Sequence, residues 1–202
     1  MPIYRIHNRN ILFIHVPKTG GTSVEKFLET IAEPGLHNKS RKLLRDFSSG
    51  WLAPSLAMQH FDRKLLEGVF PNNFIDYAFM IVRHPVDRLI SEYRHSRTHG
   101  RLDSRLPFNV WAHMVLRIAR WEPHFRNNHF LPQANFRCFD ADVYHFEDGI
   151  EKIILEISSK LELSKPEFIP HEKKSYFQEI NASESTINLI RKIYKEDFIF
   201  YE

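Results

Sequence analysis

Three groups of residues in this chain have types and spacings that can do chemistry. The first is Lys18-Thr19-Gly20-Gly21-Thr22-Ser23. A glycine pair between a strand and a helix lets backbone N–H groups approach an oxyanion, and the helix N-terminus adds about half a positive charge. Thr22 and Ser23 add hydroxyl donors, and Lys18 can reach the same anion as a point charge from the strand side. The pattern reads as a phosphate or sulfate cradle; its plainer reading is a strand-to-helix turn with a surface lysine. The second group is Arg83 with Ser91, a strand-end guanidinium and a hydroxyl about two turns into the next helix. Two anion sites side by side imply one ligand with two separated phosphates. The third group is histidine, 12 in all. Only His95 and His99 stand four apart on an expected helix; no glutamate lies between them and Arg97 would repel a cation. The zinc-protease pattern fails, and no metal is expected.

These groups need elements to hold them. Ile11, Leu12, Phe13, Ile14 and Val16 form a short apolar run broken by His15 and closed by Pro17, which suits a strand buried on both faces. After the glycines, Val24, Phe27, Leu28 and Ile31 mark an amphipathic helix that Pro34-Gly35 is expected to end. Tyr77 to Val82 repeats the grammar, followed by Arg83-His84-Pro85 and a helix to roughly Arg97, with Pro85 in its first turn. Val143 to Phe146 is a third strand, leading to a helix from about Glu147. Further helices are expected at about Arg63 to Gly68 and from Pro107 toward Arg120, and Asn181 with Glu184 resembles a capping box for a last one. Alternation of this kind predicts a parallel α/β sheet covered on both faces, with ligands beyond the carboxyl ends of the strands. Both anion motifs begin at that edge.

Composition narrows the class. With 202 residues, 43% hydrophobic side chains and 7 glycines, the chain has the make-up of one compact domain and not of a disordered or repeat protein. Its apolar runs fall far short of the roughly 20 residues that cross a bilayer. The stretch after Arg5 and Arg9 is too short for a secretory leader, so Met1 is expected to be the mature start. Net charge is +3, which favours an anionic ligand without implying nucleic acid. A lone Cys138 fits a reducing compartment, so a cytoplasmic protein is expected.

Val16-Pro17-Lys18-Thr19-Gly20-Gly21-Thr22-Ser23 resembles the 5′-phosphosulfate loop of the sulfotransferases that use 3′-phosphoadenosine 5′-phosphosulfate (PAPS). Arg83-His84-Pro85-Val86-Asp87-Arg88-Leu89-Ile90-Ser91-Glu92-Tyr93 resembles their 3′-phosphate motif, in which the arginine and the serine hold the 3′-phosphate. Weaker echoes of the branch acting on carbohydrates are Gln59-His60-Phe61, His129-Phe130-Leu131-Pro132-Gln133, Phe146-Glu147-Asp148 and Tyr194 to Phe198. The resemblance implies a single domain over 1–202, a three-layer α/β fold with a central parallel sheet flanked by helices, like that of the P-loop NTPases. It implies sulfuryl transfer from PAPS to a hydroxyl, here a glycan hydroxyl, leaving 3′-phosphoadenosine 5′-phosphate and needing no metal. Lys18, Thr19, Gly20, Gly21, Thr22, Ser23, Arg83 and Ser91 would bind the donor. Lacking an anchor and the cysteine pairs of secreted relatives, the chain looks bacterial or cytosolic. For catalysis, Lys18 would neutralise the leaving oxygen, and His60, expected at the end of a strand from Ser55 to Gln59, is the candidate base.

Two alternatives compete. A divergent P-loop kinase or nucleotidase would need its lysine after the glycines, whereas Lys18 precedes them, and the second strand ends in Arg83 rather than an acidic magnesium ligand. A non-catalytic nucleotide-binding protein would keep the cradle without turnover. His129 and Gln133 are candidate nucleotide or acceptor contacts, and Arg88, Arg94, Arg97 and Arg101 form a basic helix face that is solvated or receives an acidic acceptor. The loops around Lys39 to Pro54 and Gly100 to Pro107, which would shape the acceptor pocket, carry no readable code.

Overall fold

The computed structural model describes residues 3–33, 58–122, 124–164, 166 and 179–202. Four strands, β1 (Ile3–Ile6), β2 (Arg9–Ile14), β3 (Tyr77–Val82) and β4 (Asp142–His145), form one sheet in the order β1-β2-β3-β4. β2, β3 and β4 are parallel, with Ile14 beside Met80 and Val82 beside His145, so their carboxyl ends open on one edge. The expected all-parallel sheet is therefore mostly parallel: β1 adds an antiparallel edge, pairing Ile6 with Arg9. Its hairpin turns at His7 and Asn8, both at positive φ, and no glycine advertises that turn.

Among the described residues there are seven α-helices: α1 (Gly21–Ile31), α2 (Arg63–Val69), α3 (Pro85–Thr98), α4 (Phe108–Ala119), α5 (Ile150–Lys160), α6 (Glu184–Ile193) and α7 (Lys195–Phe198). Pro85 occupies the first turn of α3, where a missing N–H costs nothing. α5 begins three residues later than expected, because Phe146–Asp148 close a 3₁₀ turn and Gly149 reverses the chain at φ +91°. α6 is capped not by Asn181 but by Ser183, whose side chain accepts from the Thr186 N–H. Met58–His60 form a 3₁₀ turn instead of the end of a strand; residues 55–57, Pro34-Gly35 and the loop from Lys39 to Pro54 lie outside the described residues.

Alternation along the strands sends side chains to two cores. Ile11, Phe13, Phe79 and Ile81 meet Val24, Phe27 and Leu28 of α1 and Ile153, Ile154 and Ile157 of α5. Leu12, Ile14, Met80 and Val82 face the other way onto Phe61, Leu66 of α2 and Phe136. A third core, around Leu89, Tyr93, Trp111, Val115 and Ile190, joins α3, α4 and α6. Burying β2 and β3 on both faces fixes their register, and with it the position of the residues at their carboxyl ends. No helix among the described residues is long and apolar enough to cross a membrane.

Candidate functional site

A cavity of about 470 Å³ opens where the parallel strands end. Lys18, Gly20, Gly21 and Thr22 line it from the loop after β2, and Arg83 and Ser91 from β3 and α3. The loop is bent by left-handed φ values at Lys18 (+70°) and Gly20 (+82°). For a lysine this conformation costs of order 1 kcal/mol, a strain that the surrounding contacts must hold. Thr19 does so, donating its buried hydroxyl to the Val16 carbonyl at 2.9 Å. Gly20 is the N-cap of α1 and no side chain caps that terminus, so its dipole and first amides face the cavity wall. Thr19 and Ser23 are buried behind that wall.

The two glycines are demanded by protein neighbours. A Cβ on Gly20 would lie 2.7 Å from Ile150 Cδ1 and 2.8 Å from Phe146 Cε2; one on Gly21 would lie 2.3 Å from His15 Nε2. Backbone and rings approach closely enough to shape the loop before any ligand arrives.

Arg83 is bracketed through its backbone. The buried Gln133 amide accepts from the Arg83 N–H at 2.9 Å and donates to the Arg83 carbonyl at 2.8 Å, while Asp197 behind it accepts from Ala134 N at 2.9 Å. Gln133 is thus a clamp on the strand end. Its role as a ligand contact is not needed to explain its burial. The Arg83 side chain carries a buried Nε with no hydrogen-bond partner among the described residues, and burial lowers its pKa against the charges of Asp87 and Glu147. A buried, unsatisfied guanidinium donor is costly unless an anion meets it.

Another part of the lining is imidazole. His15, His60, His95 and His129 all line the cavity. His60 Nδ1 lies 3.2 Å from the His15 carbonyl. A carbonyl only accepts, so Nδ1 carries the proton and Nε2 keeps its lone pair. Burial pushes the His60 pKa well below the usual histidine range, and the neighbouring His15 and His129 push it further. The His15 and His129 rings meet His60 edge-on, at 5.0 and 5.2 Å between centroids. Each is tethered to a buried carboxylate: His15 Nδ1 to Glu25 at 2.9 Å and His129 Nδ1 to Glu92 at 2.7 Å. Gln59 Nε2 donates to both Glu25 oxygens at 3.0 Å. Burial works against ionisation of Glu92, but the hydrogen bond and charge of His129, with the charge of Lys18, hold its pKa below normal. His95 is pulled down to about 4 by burial and by Lys18.

Three segments are laced together behind these walls. Arg88 is buried, not part of an exposed basic face; its guanidinium donates at 3.0 Å to the carbonyls of Pro17, His129 and Leu131. The Asn128 amide donates to the His60 carbonyl at 2.8 Å. Glu147 accepts from the His84 N–H at 2.7 Å and ties the end of β4 to the end of β3.

The structure thus brings Lys18, Gly20, Gly21, Thr22, Arg83, Ser91 and His60 to one cavity. Sequence reasoning gave no site role to His15, Glu25, Glu92, His95 or Phe146. A signal for the carboxylates was present: Glu25 repeats the face of Gly21 and Leu28 on α1, and Glu92 that of Leu89 and Ser96 on α3. A glutamate on a buried helical stripe needs a partner. No three histidine, cysteine or acidic side chains among the described residues are grouped to hold a metal.

A sequence profile described as the sulfotransferase family matches residues 2–202. No curated protein and no solved structure matches the chain.

Proposed function

We propose that this chain, which belongs to the sulfotransferase family, transfers a sulfuryl group from PAPS to a carbohydrate hydroxyl. One observation carries the reading: a single cavity takes in the lysine and glycine turn, the arginine and serine of the second motif, and a neutral histidine. Its size suits a nucleotide. PAPS would supply the sulfuryl group and a leaving group that becomes negative at the 5′-phosphate. Lys18 meets that charge, and the amides of Gly20, Gly21 and Thr22 at the head of α1, with the turn at Thr19, hold the 5′-phosphate, whereas the Ser23 N–H is already turned onto the Gly20 carbonyl at 3.2 Å. Arg83 and Ser91 hold the 3′-phosphate, which would satisfy the buried Nε. His60 accepts the acceptor's hydroxyl proton on Nε2. The strand–turn–helix cradle is P-loop-like in position, yet the lysine on the strand side of the glycines and the arginine at the end of β3 disfavour a magnesium-dependent kinase.

The test compares ligands and then variants. The product 3′-phosphoadenosine 5′-phosphate at a hundredfold excess over its dissociation constant should stabilise the protein by about 2.7 kcal/mol in thermal melts, and ATP with magnesium by less. Lys18→Ala should lower transfer of labelled sulfate from PAPS by roughly 10²- to 10³-fold, as for loss of a donor to a developing charge. Greater stabilisation by ATP with magnesium would instead make the chain a kinase or nucleotidase, and binding without transfer to any glycan, phenol or lipid would make it a nucleotide-binding protein.

A further inference from the structure

The two anion grips share one aromatic ring. Phe146 is the first residue after β4, in the 3₁₀ turn closed by the Gly149 N–H on the Phe146 carbonyl at 3.1 Å. The Arg83 guanidinium carbon lies 4.3 Å above its ring centroid. Its edge abuts the glycine turn, where a Cβ on Gly20 would fall 2.8 Å from Cε2 and 3.0 Å from Cδ2. The ring is held in turn by the core that contains Ile150 and Ile154.

Arg83 is fixed at its backbone by Gln133, whereas its buried Nε finds no acceptor among the described residues. Stacking on a flat ring therefore aims the head group. A guanidinium lying on an aromatic face keeps its N–H donors in the plane of the stack, pointing outward from the ring edge, which is where an anion can meet two of them at once. Because the same ring bounds Gly20, one side chain touches both the 5′ grip and the 3′ grip.

We propose that Phe146 is a positioning residue that aims Arg83 across the ring and so makes the site select nucleotides that carry a 3′-phosphate as well as a 5′-phosphate. This rests on the PAPS reading above. Phe146 acts through Arg83 and not on the transferred group. Replacing the ring with an aliphatic side chain fills much of the volume but removes the flat, electron-rich face, so the guanidinium loses its aim while the glycine turn keeps a neighbour.

The experiment titrates 3′-phosphoadenosine 5′-phosphate and adenosine 5′-phosphate, which lacks the 3′ group, into the full chain by calorimetry. Wild type should prefer the bisphosphate. Phe146→Leu should weaken the bisphosphate roughly 3- to 30-fold, the range of cation–π contacts from exposed to desolvated, while adenosine 5′-phosphate changes less than about twofold. Phe146→Tyr, which keeps the face, should restore the wild-type ratio. In an Arg83→Gln background Phe146→Leu should cost the bisphosphate nothing further, since the group it aims is gone. Phe146→Met serves the same comparison if the leucine variant does not fold. An unchanged ratio of the two affinities in the aliphatic variant overturns the proposal, whether both ligands weaken equally or neither does. Wild type that binds the two ligands alike would instead overturn the donor reading itself.

Discussion

The wall of the cavity that carries Lys18, Arg83 and Ser91 and the wall that carries His15, His60 and His129 are held by different means. The first is built from backbone: a left-handed turn, an uncapped helix terminus and a strand end bracketed by Gln133. Its guanidinium at Arg83 is a permanent cation, ready for an anion without needing to change state. The second is built from side chains held by side chains, with Glu25 and Glu92 fixing two imidazoles around a third. There burial has removed the charge, leaving a lone pair on His60. On the proposed reading, one wall binds charge and the other moves a proton. A substitution on one wall should therefore leave the task of the other nearly intact.

The sharpest way to break that division is His60→Ala. Loss of a working base should lower single-turnover sulfate transfer by roughly 10²- to 10⁴-fold, with calorimetric affinity for 3′-phosphoadenosine 5′-phosphate unchanged. An unaltered rate would remove His60 from the mechanism and make His129, with its Glu92 tether, the next histidine to replace. A smaller effect is expected where the walls touch. In Gly21→Ala the new Cβ would meet the His15 ring at 2.3 Å, and that ring is pinned by Glu25 and packed against Phe13 and His60. Overpacking of this kind should cost about 1–3 kcal/mol in urea denaturation. Gly68→Ala, in the last turn of α2 with nothing within 4 Å of its Cβ, should be neutral or stabilising by up to about 1 kcal/mol. Equal losses at the two glycines would mean that His15 yields, and that the histidine wall does not brace the glycine turn.

The first wall was legible in the sequence because it follows local rules. Apolar runs ending in a lysine-glycine turn and in Arg83-His84-Pro85 place both motifs at the carboxyl edge once the strands are parallel, as the pairing of Ile14 with Met80 shows. The purpose of the glycines was read only in part: their missing side chains make room for Phe146, Ile150 and His15, which come from distant or opposing elements. The second wall was largely illegible for the same reason. His15 and Glu25 are ten residues apart, but His60 and His129 reach them only through tertiary packing, and no spacing rule couples a 3₁₀ turn at Met58–His60 to a loop tied down by Arg88. Arg88 itself, within a motif rich in charge, read as solvent-facing because periodicity does not reveal three carbonyls waiting in the interior. The edge strand β1 escaped because its turn uses His7 and Asn8 in place of glycine.

A further effect separates the walls by pH. His60 is neutral in the folded protein and has a folded pKa below that of the unfolded chain, near 6.5. Between those two values the unfolded state binds a proton that the folded state refuses, so stability must fall as pH drops below about 6.5 and should do so by about 1.4 kcal/mol per unit for this one group. His95 contributes in the same direction until about pH 4, by less because it is better solvated. Arg83 stays charged throughout this range and adds no slope. Urea denaturation between pH 7 and 5, above the carboxylate range, should then show a loss on acidification that His60→Asn reduces and Arg83→Gln, which is no cause of either histidine's shift, leaves in place. An unaltered slope in His60→Asn would show that this imidazole takes up a proton as readily folded as unfolded, and the neutral lone pair on which the second wall depends would not exist.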